Sequence, residues 1–177
     1  MNVIEAIRRK RAVRDFAPTP LPDEVVERIV YAGRRAQSSK NSQPWHFIAV
    51  RERRTLEVLS QMGDFASWLP DVGLAVAIVT PDPRQRWSVM FDAGQAAAYM
   101  QLAAVELGVG SCLATLHRPE GAPELLGFPP DLQLHVLVGF GYPADPERAF
   151  QIASRPGGRR PTEESVHYER WGGRNGR

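Results

Sequence analysis

Leu74-Ala75-Val76-Ala77-Ile78-Val79-Thr80 is the segment that most limits the folds open to this chain. Its residues are β-prone yet barely alternate in polarity, so a strand built from them must be buried on both faces. Helices are read on either side of it. Leu21-Pro22-Asp23-Glu24 places proline and acids in a first helical turn, and Val26, Ile29, Val30 and Gly33 continue that helix to about Arg35. Arg54 to Met62 reads as another. Trp87 to Leu107 carries Met90, Ala93, Ala97, Met100, Ala104 and Leu107 at helical spacing, and its alanines and Gly94 are expected to let another backbone approach closely.

The remaining elements follow from the same patterns. Val3, Ile4 and Ile7 share one face of a short first helix that ends near the basic cluster Arg8-Arg9-Lys10-Arg11-Ala12-Val13-Arg14. Trp45 to Val50, Ser111 to Leu116 and Leu132 to Phe140 read as strands, with a helix from about Pro119 to Leu126. From Pro143 onward the chain is rich in proline, glycine and charge and then closes on His167-Tyr168-Glu169-Arg170-Trp171. That segment is too polar for a core element and too aromatic for a free tail, so it is expected to wrap a surface such as a partner subunit's.

With 177 residues and 43% hydrophobic content, the chain suits one domain, residues 1–177, burying roughly 70% of its unfolded surface. The net charge is only +2, so the pI of 9.0 reflects arginine content rather than a strong field, and bulk charge does not call for nucleic acid. Nor are aromatics interleaved with the basic residues as in single-strand binders. Cys112 is the one cysteine, which excludes an intrachain disulfide and multi-cysteine zinc signatures and suits a reducing compartment. The N-terminus lacks the apolar core of a signal peptide, and the run from Val72 to Val79 falls far short of the ~20 residues of a membrane helix. A soluble, cytoplasmic protein with no membrane partner is expected.

Two segments point to a ligand. Gln37-Ser38-Ser39-Lys40-Asn41-Ser42-Gln43 is a loop of small hydrogen-bonding groups between a helix and a strand, able to donate to and accept from a heterocycle with carbonyls and ring nitrogens. A capped helix end with an ordinary polar turn is the alternative. The basic cluster, together with Arg159 and Arg160 after a flexible Pro156-Gly157-Gly158, can hold a phosphate monoester. Each cation within ~4 Å contributes up to about 4 kcal/mol at an effective dielectric near 20, before desolvation; the alternative is a solvated helix end and loop.

Other chemistries lack support. Gly108-Val109-Gly110-Ser111-Cys112-Leu113 has no third glycine and lies after a helix and before a strand, the reverse of the dinucleotide fingerprint. There is no P-loop, no H-E-x-x-H and no G-x-S-x-G elbow. His46, His117, His135 and His167 have no metal-ligand spacing, and His135, within a strand, reads as structural. His117 stands at a strand end where ligand sites are common, although an exposed loop histidine is the simpler reading. Cys112 has no adjacent base and reads as core.

The chain resembles the nitroreductase family of FMN-dependent oxidoreductases over nearly its whole length. The likeness runs through Lys10-Arg11-Ala12-Val13-Arg14-Asp15-Phe16, Ser38 to Trp45, Asp92-Ala93-Gly94, Leu107 to Ser111, Gly139-Phe140-Gly141-Tyr142-Pro143, Arg159-Arg160-Pro161 and His167-Tyr168-Glu169. The resemblance implies an α+β fold with a central, mostly antiparallel sheet between helices. It also implies a homodimer with two interfacial FMN sites, reduced by NADH or NADPH in a ping-pong hydride-transfer mechanism. By matching position, Lys10, Arg11 and Arg14 would bind phosphate, ribityl or pyrimidine edge, and Arg159 and Arg160 would close on the phosphate. Gln37, Ser38, Ser39 and Asn41 would come from the other subunit. Leu113, Ala114, Thr115 and Leu116 would lie along the isoalloxazine, with a backbone N–H near its N5.

Two departures stand out: Ala12 where the family usually has serine, and Gln37 where it usually has proline. Lys10 and Lys40 are the only lysines, so no lysine matches the one that many larger members place near the pyrimidine, and Arg14 is the candidate substitute. No protein acid or base is named, because the flavin carries the chemistry. Nitroaromatics and quinones are the expected acceptors; enone reduction, dehalogenation, flavin reduction or non-catalytic flavin binding are the alternatives the resemblance leaves open.

Overall fold

The computed structural model describes residues 1–152 and 159–174. In chain order the strands are β1 (His46–Val50), β2 (Leu74–Pro81), β3 (Gly110–Thr115) and β4 (Leu132–Gly141). They form one antiparallel sheet in the order β1-β2-β4-β3. Helices are α1 (Val3–Arg9), α2 (Asp23–Arg34), α3 (Arg53–Gln61), α4 (Ser88–Glu106), α5 (Ala122–Leu126), α6 (Pro146–Phe150) and α7 (Thr162–Ser165). The architecture is α+β, with helical layers on both faces of the sheet.

Strand β2 occupies the position its composition demands. It pairs with β1 from His46↔Val79 to Val50↔Ala75 and with β4 from Leu74↔Phe140 to Pro81↔Leu132, the latter with a register shift between Ile78 and Val79. Alternate side chains then enter two separate cores. Ala75, Ala77 and Val79 join Leu56, Leu59, Trp68, Leu69, Cys112, Ala114, Leu116 and Leu137. On the opposite face Leu74, Val76 and Ile78 join Ile29, Trp45, Ala93, Ala97, Met100, Val138 and Phe140. Trp45 is therefore core, stacked on Phe47 with ring centroids 6.1 Å apart.

Helix α4 lies on the second face through Ala93, Ala96, Ala97, Met100 and Ala104, and the small volume of the four alanines lets it sit close to the sheet. Gly94 does not serve this packing as expected: it falls outside the buried stripe, is exposed, and nothing lies within 4 Å of where its Cβ would be. Met90 is likewise exposed. Helix α5 begins at Ala122 rather than near Pro119. Within the proline-rich C-terminal segment α6 was not foreseen; Asp145 caps it by accepting from the Arg148 amide at 3.0 Å, Pro146 fills its first turn, and the half-buried Ala149 packs it on the core. The expected flexible link at 156–158 lies outside the described residues.

The apolar face read for α1 is real but uncovered: Val3, Ile4 and Ile7 are 69%, 66% and 54% exposed. Trp87, Phe91, Tyr31 and Tyr99 are exposed too, the last two lining a groove of about 1030 Å³ between α2 and α4. Among the described residues no helix is long and apolar enough to cross a membrane. The α7 segment folds on itself, Tyr168 N–H donating to the Gly173 carbonyl at 3.0 Å, and leaves Trp171 88% exposed.

Leu59→Ala should lower unfolding free energy by about 2–5 kcal/mol, because Leu59 is fully buried between α3 and the sheet; a urea titration checks this.

Candidate functional site

Helix α1 delivers the basic cluster. Asn2 caps its start by accepting from the Glu5 amide at 2.9 Å, and at its end Lys10 turns the chain into extended conformation. The next residues run beside β3: the Val13 amide donates to the Ser111 carbonyl at 3.0 Å, and Ala12 bridges Ser111 in parallel sense. Val13 and Phe16 enter the core, which leaves Arg11, Ala12 and Arg14 outside and Lys10 half-buried. Glycine is required at position 110, since a Cβ there would stand 2.9 Å from three carbons of Val13.

The charges converge on the start of β3. Burial pushes the Lys10 ammonium below its ordinary pKa, and the nearby Arg159 guanidinium lowers it further, while Cys112 acts to raise it. Cys112 is buried, so its thiol is pushed up, against the opposing influence of Arg14 and Lys10. That makes it an inert core thiol. Lys10 therefore lies near both Cys112 and Arg159, although 159 is far away in sequence; Arg14 lies near Cys112, and Arg160, next to Arg159 in the chain, is exposed. Arg11 is differently engaged: its guanidinium donates to the Gln151 carbonyl from Nε at 3.2 Å and Nη2 at 2.8 Å.

Strand β3 offers a mixed surface. Cys112, Ala114 and Leu116 point into the core, whereas Leu113 and Thr115 are exposed. As an edge strand it pairs with β4 alone along Leu113–Thr115, so the outward backbone groups of these residues face away from the ladder. Inside, Gln101 Nε2 donates to Ser111 Oγ at 3.2 Å and fixes β3 against α4.

The 37–43 loop is held elsewhere, at the start of α4. The Ser39 amide donates to both carboxylate oxygens of Asp92, at 3.2 and 3.3 Å, and Asp92 is 4% exposed. Arg86 Nη2 donates to Ser42 Oγ at 2.7 Å and to the Ser39 carbonyl at 3.3 Å, and the Gln43 amide donates to Ser38 Oγ at 2.9 Å. These ties hold three non-glycine residues in the left-handed region, Lys40, Asn41 and Gln43 at φ 54°, 53° and 45°. Such geometry costs on the order of 1–3 kcal/mol per residue and collects at ligand sites. Gln37, Ser39 and Asn41 are exposed and Ser38 half-buried.

Within one chain the two halves stand apart. Asp92, which holds the loop, and Gln101, which meets β3, lie nine residues apart on α4, a rise of roughly 14 Å. Among the described residues no hydrogen bond joins the loop to the basic segment. Sequence reasoning missed Arg86 and Asp92 as supports of the loop. Their one visible signal was the acid in the Asp92-Ala93-Gly94 motif, and nothing local links position 92 to position 39.

The nitroreductase family pattern matches residues 7–82 and 67–142. A relative from Archaeoglobus fulgidus, provisionally named NADH dehydrogenase/NAD(P)H nitroreductase, is 31% identical over 178 residues, covering 95% of this chain and 98% of its own length. Among solved structures, an FMN-dependent nitroreductase from Clostridium difficile R20291 superposes with a TM-score of 0.82 at 25% identity, covering 94% of this chain and 99% of that one. Nitroreductase A from Vibrio parahaemolyticus shares the fold at 0.84 with 21% identity, covering 99% and 79%.

Asp92→Ala should cost about 1–3 kcal/mol of stability by orphaning the Ser39 amide, and should speed tryptic cleavage after Lys40; urea denaturation and mass mapping of a timed digest measure the two effects.

Proposed function

The chain belongs to the nitroreductase family, and we propose that it is an FMN-dependent oxidoreductase that carries electrons from NADH or NADPH to a nitroaromatic, quinone or related acceptor. The observation that carries this reading is the course of the basic segment: it leaves α1 at the half-buried Lys10 and runs beside the start of edge strand β3, with Arg11 and Arg14 outside and Arg159 near Lys10. Packing cations together, with one half-buried and its pKa lowered, is unfavourable unless an anion joins them, and a phosphate monoester answers that need. Bound FMN supplies the two-electron carrier between nicotinamide and acceptor.

The chain's own residues bind and orient. Lys10, Arg14, Arg159 and Arg160 hold the phosphate and the electron-rich edge of the ring system, and the Ala12 methyl offers no hydroxyl there. Arg11 anchors the C-terminal segment at Gln151, so that Arg159 stays within reach. Leu113 to Leu116 lie along the ring, Leu113 and Thr115 offering apolar surface and the strand edge offering backbone N–H groups. Positive groups near the ring stabilise negative charge there by a few kcal/mol at most each.

The loop residues Gln37, Ser38, Ser39 and Asn41 reach this surface from a second copy of the chain. Two observations support that: the separation of the two halves along α4, and the exposed apolar residues Val3, Ile4, Ile7, Trp87 and Phe91. Exposed apolar surface on this scale marks an interface. The described parts of the C-terminal segment, 143–152 and 159–174, in which the exposed Trp171 lies against the His167 ring, wrap the partner. The buried single cysteine suits a reducing cytoplasm.

The purified protein should be yellow or take up FMN, and anaerobic NADH or NADPH should bleach it. A colourless protein that refuses FMN refutes the reading; flavin that neither nucleotide reduces moves it to specialised or non-catalytic flavin binding. Lys10→Ala should weaken FMN binding by about 1.5–3 kcal/mol. Affinity should also fall as pH rises through the lowered pKa of Lys10, below the ordinary lysine range, because the protonated ammonium is the form that attracts phosphate. Lys10→Arg, which stays charged, should flatten that dependence in a fluorescence titration.

A further inference from the structure

The buried stripe of α4 carries two polar side chains among its apolar ones, Asp92 and Gln101. Asp92 meets the Ser39 amide, whereas Gln101, 4% exposed, meets Ser111, 1% exposed, donating from Nε2 to its hydroxyl at 3.2 Å. Ser111 lies on the same face of β3 as Leu113 and Thr115, which are exposed. Gln101 therefore grips the strand just before its open stretch begins.

Stability alone accounts poorly for this pair. A buried hydrogen bond contributes little beyond what two apolar groups of similar shape would, although half of it left unmade is costly. What the pair adds is direction. The alanines around it let α4 lie close to the sheet but give it little to interlock with, and a core filled by volume alone loses its unique arrangement before it loses stability. Strand β3 has particular need of a fixed point, since β4 is its one neighbour in the sheet.

The same serine holds the basic segment through its backbone. Its carbonyl accepts the Val13 amide at 3.0 Å, Ala12 bridges it, and the Val13 side chain fills the space beside Gly110 that a Cβ there would enter. Helix, strand and segment are thus joined in series, α4 to the Ser111 hydroxyl and residue 13 to the Ser111 carbonyl. Lys10 stands three residues before Val13 and Arg14 directly after it. A shift of Ser111 is consequently a shift of the cations assigned to the phosphate.

We propose that Gln101 is a positioning residue for the phosphate-binding segment, acting through Ser111 and Val13 on Lys10 and Arg14. Its side chain reaches no ligand atom in this role. The proposal rests on the FMN reading above.

The test compares the full wild-type chain with Gln101→Met, which keeps the length and loses the donor, with Ser111→Ala, and with the two changes together. Three quantities are read: the urea midpoint, the FMN dissociation constant by fluorescence titration, and amide exchange at Val13 in the FMN-free chain, with the buried Val76 of β2 as internal standard. Each single change leaves a buried polar group unpaired and should lower the midpoint; the double change, which makes an apolar pair, should return it to about the wild-type value. FMN affinity should not return with it. In the double variant the dissociation constant should stay about fivefold or more above wild type, and Val13 exchange should run about tenfold or more faster relative to Val76. A pair that only stabilised the fold would restore all three quantities together. Wild-type values of either FMN binding or Val13 exchange in the double variant, with FMN taken up by the wild type, overturn this proposal alone; a wild-type chain that takes up no FMN overturns the FMN reading and this proposal with it. Should the double variant fail to fold with methionine at 101, Gln101→Leu with Ser111→Ala decides the same question.

Discussion

Strand β2 has no free face, and the rest of the molecule is arranged around that fact. Three of its side chains must find one dry layer and three another, so the alanine-rich α4 is drawn onto one side and α3 with its following turn onto the other. With β1 and β4 taking its two edges, β3 is left at the margin of the sheet. Helix α4 then spans the molecule from the loop that Asp92 holds to the strand that Gln101 holds. The spacing of the loop and the basic segment is the length of helix needed to cover a four-stranded sheet.

Both regions are locally unfavourable arrangements held by packing. Val13 and Phe16 are buried on one side of the 10–16 segment, and their burial sets where Lys10 stands, half-buried near Arg159, whether or not the charges gain by it. In the loop, Asp92 and Arg86 impose left-handed conformations that Lys40, Asn41 and Gln43 would not adopt alone. A surface prepared in this way loses little freedom when a ligand arrives, which is where much of the cost of binding ordinarily lies.

Periodicity made most of the architecture legible. The unalternating run at 74–80, the 3.6-residue spacing in α2 and α4, and the turn residues before β3 and β4 each have one good structural solution, and their ends fell within a few residues of expectation. The loop and the basic cluster could be picked out as candidates for ligand binding because polar and cationic groups gathered so densely are costly unless something pairs with them. What stayed hidden was contact between distant positions. No local pattern tells that Asp92 lies under Ser39, that Arg11 turns to Gln151, or that Phe65 meets His117, since each depends on register between elements about 50 to 140 residues apart. At Gly94 a small residue suggests close approach, but the angle around the helix turns it away from the sheet, and within the chain nothing lies within 4 Å of its Cβ position.

The parallel bridge between Ala12 and Ser111 has a role in solubility as well as in siting charge. A marginal strand displays a row of unpaired amides and carbonyls, and such rows template intermolecular pairing. Here the extended 10–16 segment lies over the first residues of β3 and carries cations at Lys10, Arg11 and Arg14, so the most accessible end of the row is shielded by backbone and guarded by like charge. Only the stretch from Leu113 onward stays open. Loosening the Val13 anchor would therefore do more than scatter the cations; it would lengthen the naked margin of the sheet and turn that edge into a seed for aggregation.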